Sequence, residues 1–212
     1  MQHSAALAAL EVWSQSAPED ALDWAEAREA EAQRNEYAAK VLDSVKRLSP
    51  QRAIEVALRA RNPHVRADGI LYALLKWCPG DPVAAVQAFL ALPEKDRDEN
   101  TLRQITASVA SSSLGQAREL LAQIPEGPQR LLAQAAVVLV RRDADPATVA
   151  DLALSLAEKP ENRSLVAGVI RRWHQQDPAA VERWIAELPD SAGKKVAAET
   201  IAAVKGAGGN ER

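Results

Sequence analysis

The chain has 212 residues, enough for a sizeable core in one or two domains, and 47% of them are hydrophobic, which excludes a wholly disordered polymer. Aromatics at 4% argue against a strand-rich fold, because strands favour aromatic and β-branched residues. A net charge of -3 argues against nucleic acid as a partner, the single cysteine Cys78 excludes an intramolecular disulfide, and the stretch Leu131 to Val140, apolar but for Gln134, is too short for a membrane span.

In chain order, alanine-rich helical segments alternate with prolines. The first, 4–14, is apolar nearly all round: Ala5, Ala6, Leu7, Ala8, Ala9, Leu10, Val12 and Trp13. Pro18 opens 18–30, and 31–47 follows; Ser49-Pro50 opens 50–60, and 66–77 follows. Asp81-Pro82 opens 82–92 before 99–111, Ser113-Leu114 opens 114–124 before 129–142, and Asp145-Pro146 opens 146–158 before 162–175. Asp177-Pro178 opens 178–188, a last helix covers 191–205, and 206–212 reads as a flexible tail. Asp or Ser before Pro is helix-start chemistry. The side-chain oxygen accepts from first-turn amides, and the proline occupies a position whose N–H would be unpaired anyway. Pro63, Pro93, Pro125, Pro160 and Pro189 stand where the second helix of each pair should stop. Cations (Lys46, Arg47, Lys76, Arg141, Arg142, Arg171 and Arg172) gather toward the ends of the first helices, where they suit the helix dipole.

These anchors share one period. Pro18, Pro50, Pro82, Leu114, Pro146 and Pro178 are 32 residues apart. Apolar columns keep the same period: nine residues before the anchor stand Ala9, Val41, Ala73, Ile105, Val137 and Val169. Six after it stand Trp24, Val56, Ala88, Leu120, Leu152 and Trp184. The columns fall at helical i, i+3, i+4, i+7 spacing on both sides of the anchor. Departures are few: Arg28, Thr106, Gln134 and Arg141. Each unit is therefore a pair of antiparallel helices, A then B, and one pair cannot bury its stripe alone. The expectation is an all-α chain: an α-solenoid of about six helix pairs plus a C-terminal helix, with 1–205 as a single domain.

Trp77 to Pro93 and Trp173 to Pro189 share W-x3-D-P-x-A-x7-L-P. This resembles the helical repeats of bacterial proteins related to the tetratricopeptide class, although the W-x2-L-G-x2-Y signature of that class is absent and the period is 32 rather than 34. The resemblance covers nearly the whole chain. It implies a right-handed superhelix acting as a non-enzymatic binding scaffold, and it carries over no functional residue.

The outward face of each A helix lies fourteen, ten and seven residues before the anchor. In the end repeats it is polar or charged (Glu11, Glu36, Lys40, Asp43, Arg171); in the third and fifth it is Tyr72, Leu75, Leu132, Ala136 and Leu139. An apolar middle with charged ends suits a protein or peptide partner, with Lys40 and Arg171 as rim charges. The competing reading is that neighbouring A helices bury these residues against one another. The five tryptophans stand in core columns and read as packing. An acidic excess over 1–36 against a basic excess over 40–76 reads as a solvated surface, with an anionic partner as the alternative.

His3, His64 and His174 have no metal-ligand spacing, Cys78 reads as structural, and no phosphate loop or nucleophile elbow is present. No metal, cofactor or catalysis is implied. A rival reading is a DNA-repair protein like the HEAT-like alkylpurine glycosylases, kept open by Arg141, Arg142, Arg171, Arg172 and Trp173. A third is an accessory domain of a longer chain. The apolar first helix calls for a cover, either upstream sequence or a second copy of the chain. Single-cysteine usage fits the cytoplasm, with the periplasm open for an excised fragment.

Overall fold

The computed structural model describes residues 2–45, 48–141 and 145–208. It is all-α, and among the described residues none is in a strand. Thirteen α-helices follow in order among the described residues: α1 (Gln2–Ser16), α2 (Pro18–Glu26), α3 (Glu31–Ser44), α4 (Pro50–Leu58), α5 (Pro63–Trp77), α6 (Pro82–Ala91), α7 (Glu99–Ser112), α8 (Leu114–Gln123), α9 (Pro128–Val140), α10 (Ala147–Leu154), α11 (Arg163–Gln176), α12 (Pro178–Glu187) and α13 (Ala192–Gly208). Segment 146–158 ends differently from expectation, its last turn tightening to a 3-10 helix at Ser155–Glu158. Helix α13 runs through 206–208, so the tail expected from 206 is shorter, and its residues 209–212 lie outside the described residues. So do Lys46, Arg47 and Arg142.

The anchor chemistry is visible at four of the six anchors, Ala17 before Pro18 being one that offers no side-chain cap. Asp81 accepts from the Ala84 amide at 2.8 Å and Asp177 from Ala180 at 2.9 Å, while Ser49 and Ser113 accept from Arg52 and Gln116, each at 3.3 Å. One proline plays the opposite part from the one expected. Pro63 opens α5 rather than closing the preceding helix, because Asn62 caps the amides of His64 and Val65. Pro128 likewise opens α9, after Gly127, whose φ of 140° suits only glycine.

The B-helix ends carry a device the apolar pattern does not reveal. Arg34 donates to the carbonyls of Arg28 and Glu29 (2.9 and 2.7 Å), Arg66 to Ala60 (2.6 Å), and Lys194 to Leu188 (2.6 Å). Donors 34, 66 and 194, and acceptors 28, 60 and 188, fall on the 32-residue period. A cation from the next A helix thus satisfies carbonyls left open where α2, α4 and α12 end.

The chain forms two compact units, Met1–Val109 and Ala110–Arg212. In the first, α3 packs on α1, α2 and α5, and α5 on α4 and α6. In the second, α11 is central, touching α10, α12 and α13, over a core that includes Val166, Val169, Ile170, Trp173 and Val181. The column three residues after the anchor (Ala21, Ala53, Ala85, Ala117, Val149, Val181) is buried at all six positions. Small side chains there let the helices approach closely.

Most of the departures from the apolar columns are satisfied locally. Thr106 is fully buried and donates to the Leu102 carbonyl at 2.8 Å. Gln134 accepts from Ser155 at 3.0 Å, and Arg28 lies over the Trp24 ring at 4.1 Å while donating to the Trp24 carbonyl. Arg141 is the exception, its buried Nε having no hydrogen-bond partner among the described residues.

Candidate functional site

Much of the uneven charge of the N-terminal third is paired within the first unit. Acidic residues of α2 face basic residues on and just after α4: Glu19 with Arg52, Asp23 with Arg59 at 2.5 Å, and Glu26 with the Arg61 amide at 2.9 Å. Lys40 reaches Glu11 at 2.6 Å, and Arg66 pairs with Asp96 at 2.7 Å in a largely buried contact. Arg52 also holds Glu55, and this contact, with Glu19 beside it, raises the guanidinium pKa. Lys40, Arg52, Arg59, Arg61 and Arg66 are thereby matched to the protein's own carboxylates. Lys40, expected as a rim charge, is engaged by α1.

The tryptophans act as packing groups. Trp173 and Trp184 meet at 5.0 Å, and Trp24 stacks on Tyr37 at 5.6 Å, with Trp13 edge-on to Trp24. His3 stacks on Tyr37 and reaches Glu36 at 2.9 Å. Cys78 is buried, and burial pushes its thiol up to about 11, which keeps it protonated and unreactive near neutrality. Among the described residues no cluster of His, Cys, Asp or Glu could hold a metal ion, and no helix is long and apolar enough to cross a membrane.

Two grooves lie between neighbouring A helices, each on the outward columns. In the first unit, α3 and α5 flank a groove of about 220 Å³. Ala39 and Gly69 keep it open, Asp43 and Asp68 stand at its sides, and Tyr72 is one of its walls. Gly69 has a structural reason: a Cβ there would stand 2.9 Å from the Cβ of Ala57 and 2.8 Å from Cδ1 of Leu42. Tyr72 is 40% exposed, and Leu75, one turn on, is half-buried.

In the second unit, Leu139 on α9 is 51% exposed and Leu132 half-buried. Ala136 is buried, at 3%, so its methyl is a packing group and it leaves the candidate set. Arg171 lies away from these, in a wider groove of about 600 Å³ between α11 and α13. That groove also takes in Arg163, Ala167, Glu199, Thr200 and Ala203, none of which was foreseen. The signal was available: carrying the 32-residue count on to 210 puts Val196, Thr200 and Ala203 in the outward columns of α13. The expected residues therefore fall into separate places: Lys40 against α1, Tyr72 and Leu75 on α5, Leu132 and Leu139 on α9, and Arg171 on α11.

No protein family, curated protein or solved structure matches the chain. The functional reading accordingly rests on the geometry of the chain itself.

Proposed function

We propose that this protein is a non-enzymatic helical-repeat scaffold, an α-solenoid in which the outward columns of successive A helices bind a protein or peptide partner. The observation that carries the proposal is Tyr72, a large side chain held 40% exposed beside a groove of about 220 Å³ between α3 and α5. A half-exposed aromatic over a preformed concavity is the arrangement that anchors partner side chains at interfaces. The outward position of Leu139 on α9 supports the same use of the same columns in the second unit. The repeat chemistry favours a scaffold as well, because each helix pair supplies the same outward positions for side chains that vary from repeat to repeat.

The test is photo-crosslinking in lysate from the source cells, with a photoreactive phenylalanine at position 72 and, as control, at the exposed B-helix position 87. A discrete crosslinked protein at 72, absent at 87 and lost on adding Asp43→Lys/Asp68→Lys, supports the reading. Equal labelling at both positions refutes it. The repair reading is tested in the same lysate with nuclease: a crosslink that disappears on nuclease treatment favours nucleic acid.

A further inference from the structure

We propose that the groove between α11 and α13 binds an extended acidic peptide segment, its carboxylates received by Arg163 and Arg171. This deepens the scaffold reading and rests on it. The groove exists because the facing columns carry small side chains: Ala167 on α11 and Ala203 on α13 leave about 600 Å³ unfilled. Valines 196 and 204 line it on the α13 side, so its floor is apolar and suits side chains of the bound segment.

Charge selects the occupant. In the first unit, Lys40, Arg52, Arg59, Arg61 and Arg66 are each satisfied by a carboxylate of the same chain. Arg163 and Arg171, both exposed, have no hydrogen-bonding or ion-pair partner among the described residues. Glu199 in the same groove pairs with neither. Two guanidinium groups beside a concave apolar floor form a ready receptor for carboxylates, which they can bind bidentately.

Spacing selects the conformation. Eight helical residues separate the two arginines, about 12 Å along α11 at 1.5 Å per residue. In an extended chain at about 3.3 Å per residue, this corresponds to acidic residues four positions apart, which share one face of the strand. Nucleic acid fits less well. No aromatic side chain lines the groove for bases to stack on, and Glu199 stands where a phosphate backbone would run.

The probe is fluorescein-labelled Gly-Asp-Ser-Val-Ser-Asp-Gly, titrated against the full chain by fluorescence anisotropy at low salt, with Gly-Lys-Ser-Val-Ser-Lys-Gly as control. The expected result is saturable binding of the acidic peptide only. It weakens at least tenfold in Arg163→Gln/Arg171→Gln and tightens a few-fold in Glu199→Gln, because that change removes the one groove carboxylate. A loss of fold cannot produce the tightening, so the second variant separates charge recognition from damage. Binding weaker than about 1 mM overturns the proposal, as do equal binding of the lysine peptide and displacement of the acidic peptide by oligothymidylate. If the acidic peptide fails while the Tyr72-dependent crosslink persists, the groove assignment falls and the scaffold reading stands. If the crosslink fails as well, both fall.

Discussion

Gly69 and Gly168 offer the same chemical change with opposite expected signs. Both lie inside A helices, α5 and α11, where glycine costs about 0.5–1 kcal/mol relative to alanine through backbone entropy. At Gly168 an added Cβ meets nothing within 4 Å, so Gly168→Ala should recover that amount and stabilise the protein by about 0.5–1 kcal/mol. At Gly69 the added carbon meets Leu42 Cδ1 at 2.8 Å and Ala57 Cβ at 2.9 Å. The leucine methyl can rotate away. The alanine Cβ is fixed to the α4 backbone and fully buried, so α4 and α5 must separate by several tenths of an ångström. Overpacking of this kind costs about 1–3 kcal/mol; after the helix-propensity gain, the net destabilisation is about 0.5–2 kcal/mol. The assay is urea unfolding followed by circular dichroism, with native-state hydrogen exchange of α4, α5 and α11 amides read alongside, because two compact units need not unfold together. Exchange in α4 and α5 should quicken about fivefold for each kcal/mol lost in Gly69→Ala. If Gly69→Ala stabilises as much as Gly168→Ala, the close approach of α4 and α5 is not what selects glycine there.

Further expectations follow from individual contacts. Asp96→Ala, which strands the nearly buried Arg66, should cost about 3 kcal/mol, whereas Asp23→Ala at the exposed Arg59 pair should cost at most about 1 kcal/mol; equal losses in denaturant titrations would contradict the burial argument. The hydrogen bond and charge of Lys205 hold the Glu182 carboxyl below its ordinary value, with His174 adding to the effect. A lowered folded pKa stabilises above the unfolded value and is lost as pH falls through the folded one, so the stability difference between wild type and Glu182→Gln should shrink once the pH drops below about 4.5; a difference that is flat with pH refutes the coupling. Cys78, raised to about 11 by burial, should resist a disulfide-forming thiol reagent at pH 8 until denaturant is added, and rapid labelling of the native protein would refute that placement. The outward face of α1, with Val12 70% exposed beside Ala5, Ala8 and Ala9, should support concentration-dependent self-association that Val12→Glu weakens; a monomer at micromolar concentration by light scattering would refute it.

The helices and their starts were legible in the sequence because their causes are local. Asp81 and Asp177 cap from one residue before proline, and nothing distant is needed to see it. The core columns were legible because periodicity encodes a face. Buried Thr106 and Gln134 looked like exceptions only because their partners, the Leu102 carbonyl and Ser155, are found through geometry. The Pro63 reading failed on a rule that cuts both ways, since proline stops one helix and starts the next, and only the Asn62 side chain shows which occurs here. The pairing behind the charge asymmetry was not legible for a different reason. Acidic α2 and basic α4 lie 32 residues apart, so their pairing appears only when successive B helices are set side by side.

That last case bears on which charges can serve a partner. A charge the chain already pairs is less open to a partner, which must first displace a carboxylate held at high local concentration. By this criterion the cations of the N-terminal third, the most conspicuous in composition, are the least available. Arg163 and Arg171 are available because their own helix and α13 present small and apolar residues, with Glu199 the only groove carboxylate and paired to neither. The outward columns thus differ between the two units in a directed way: Tyr72 beside Asp43 and Asp68 in one groove, two open arginines in the other. On the scaffold reading, a partner that uses both grooves must present an apolar segment to the first, beside Tyr72, and an acidic one to the second. Such a requirement is a stricter filter than either groove alone, since each groove asks for different chemistry from the segment it takes.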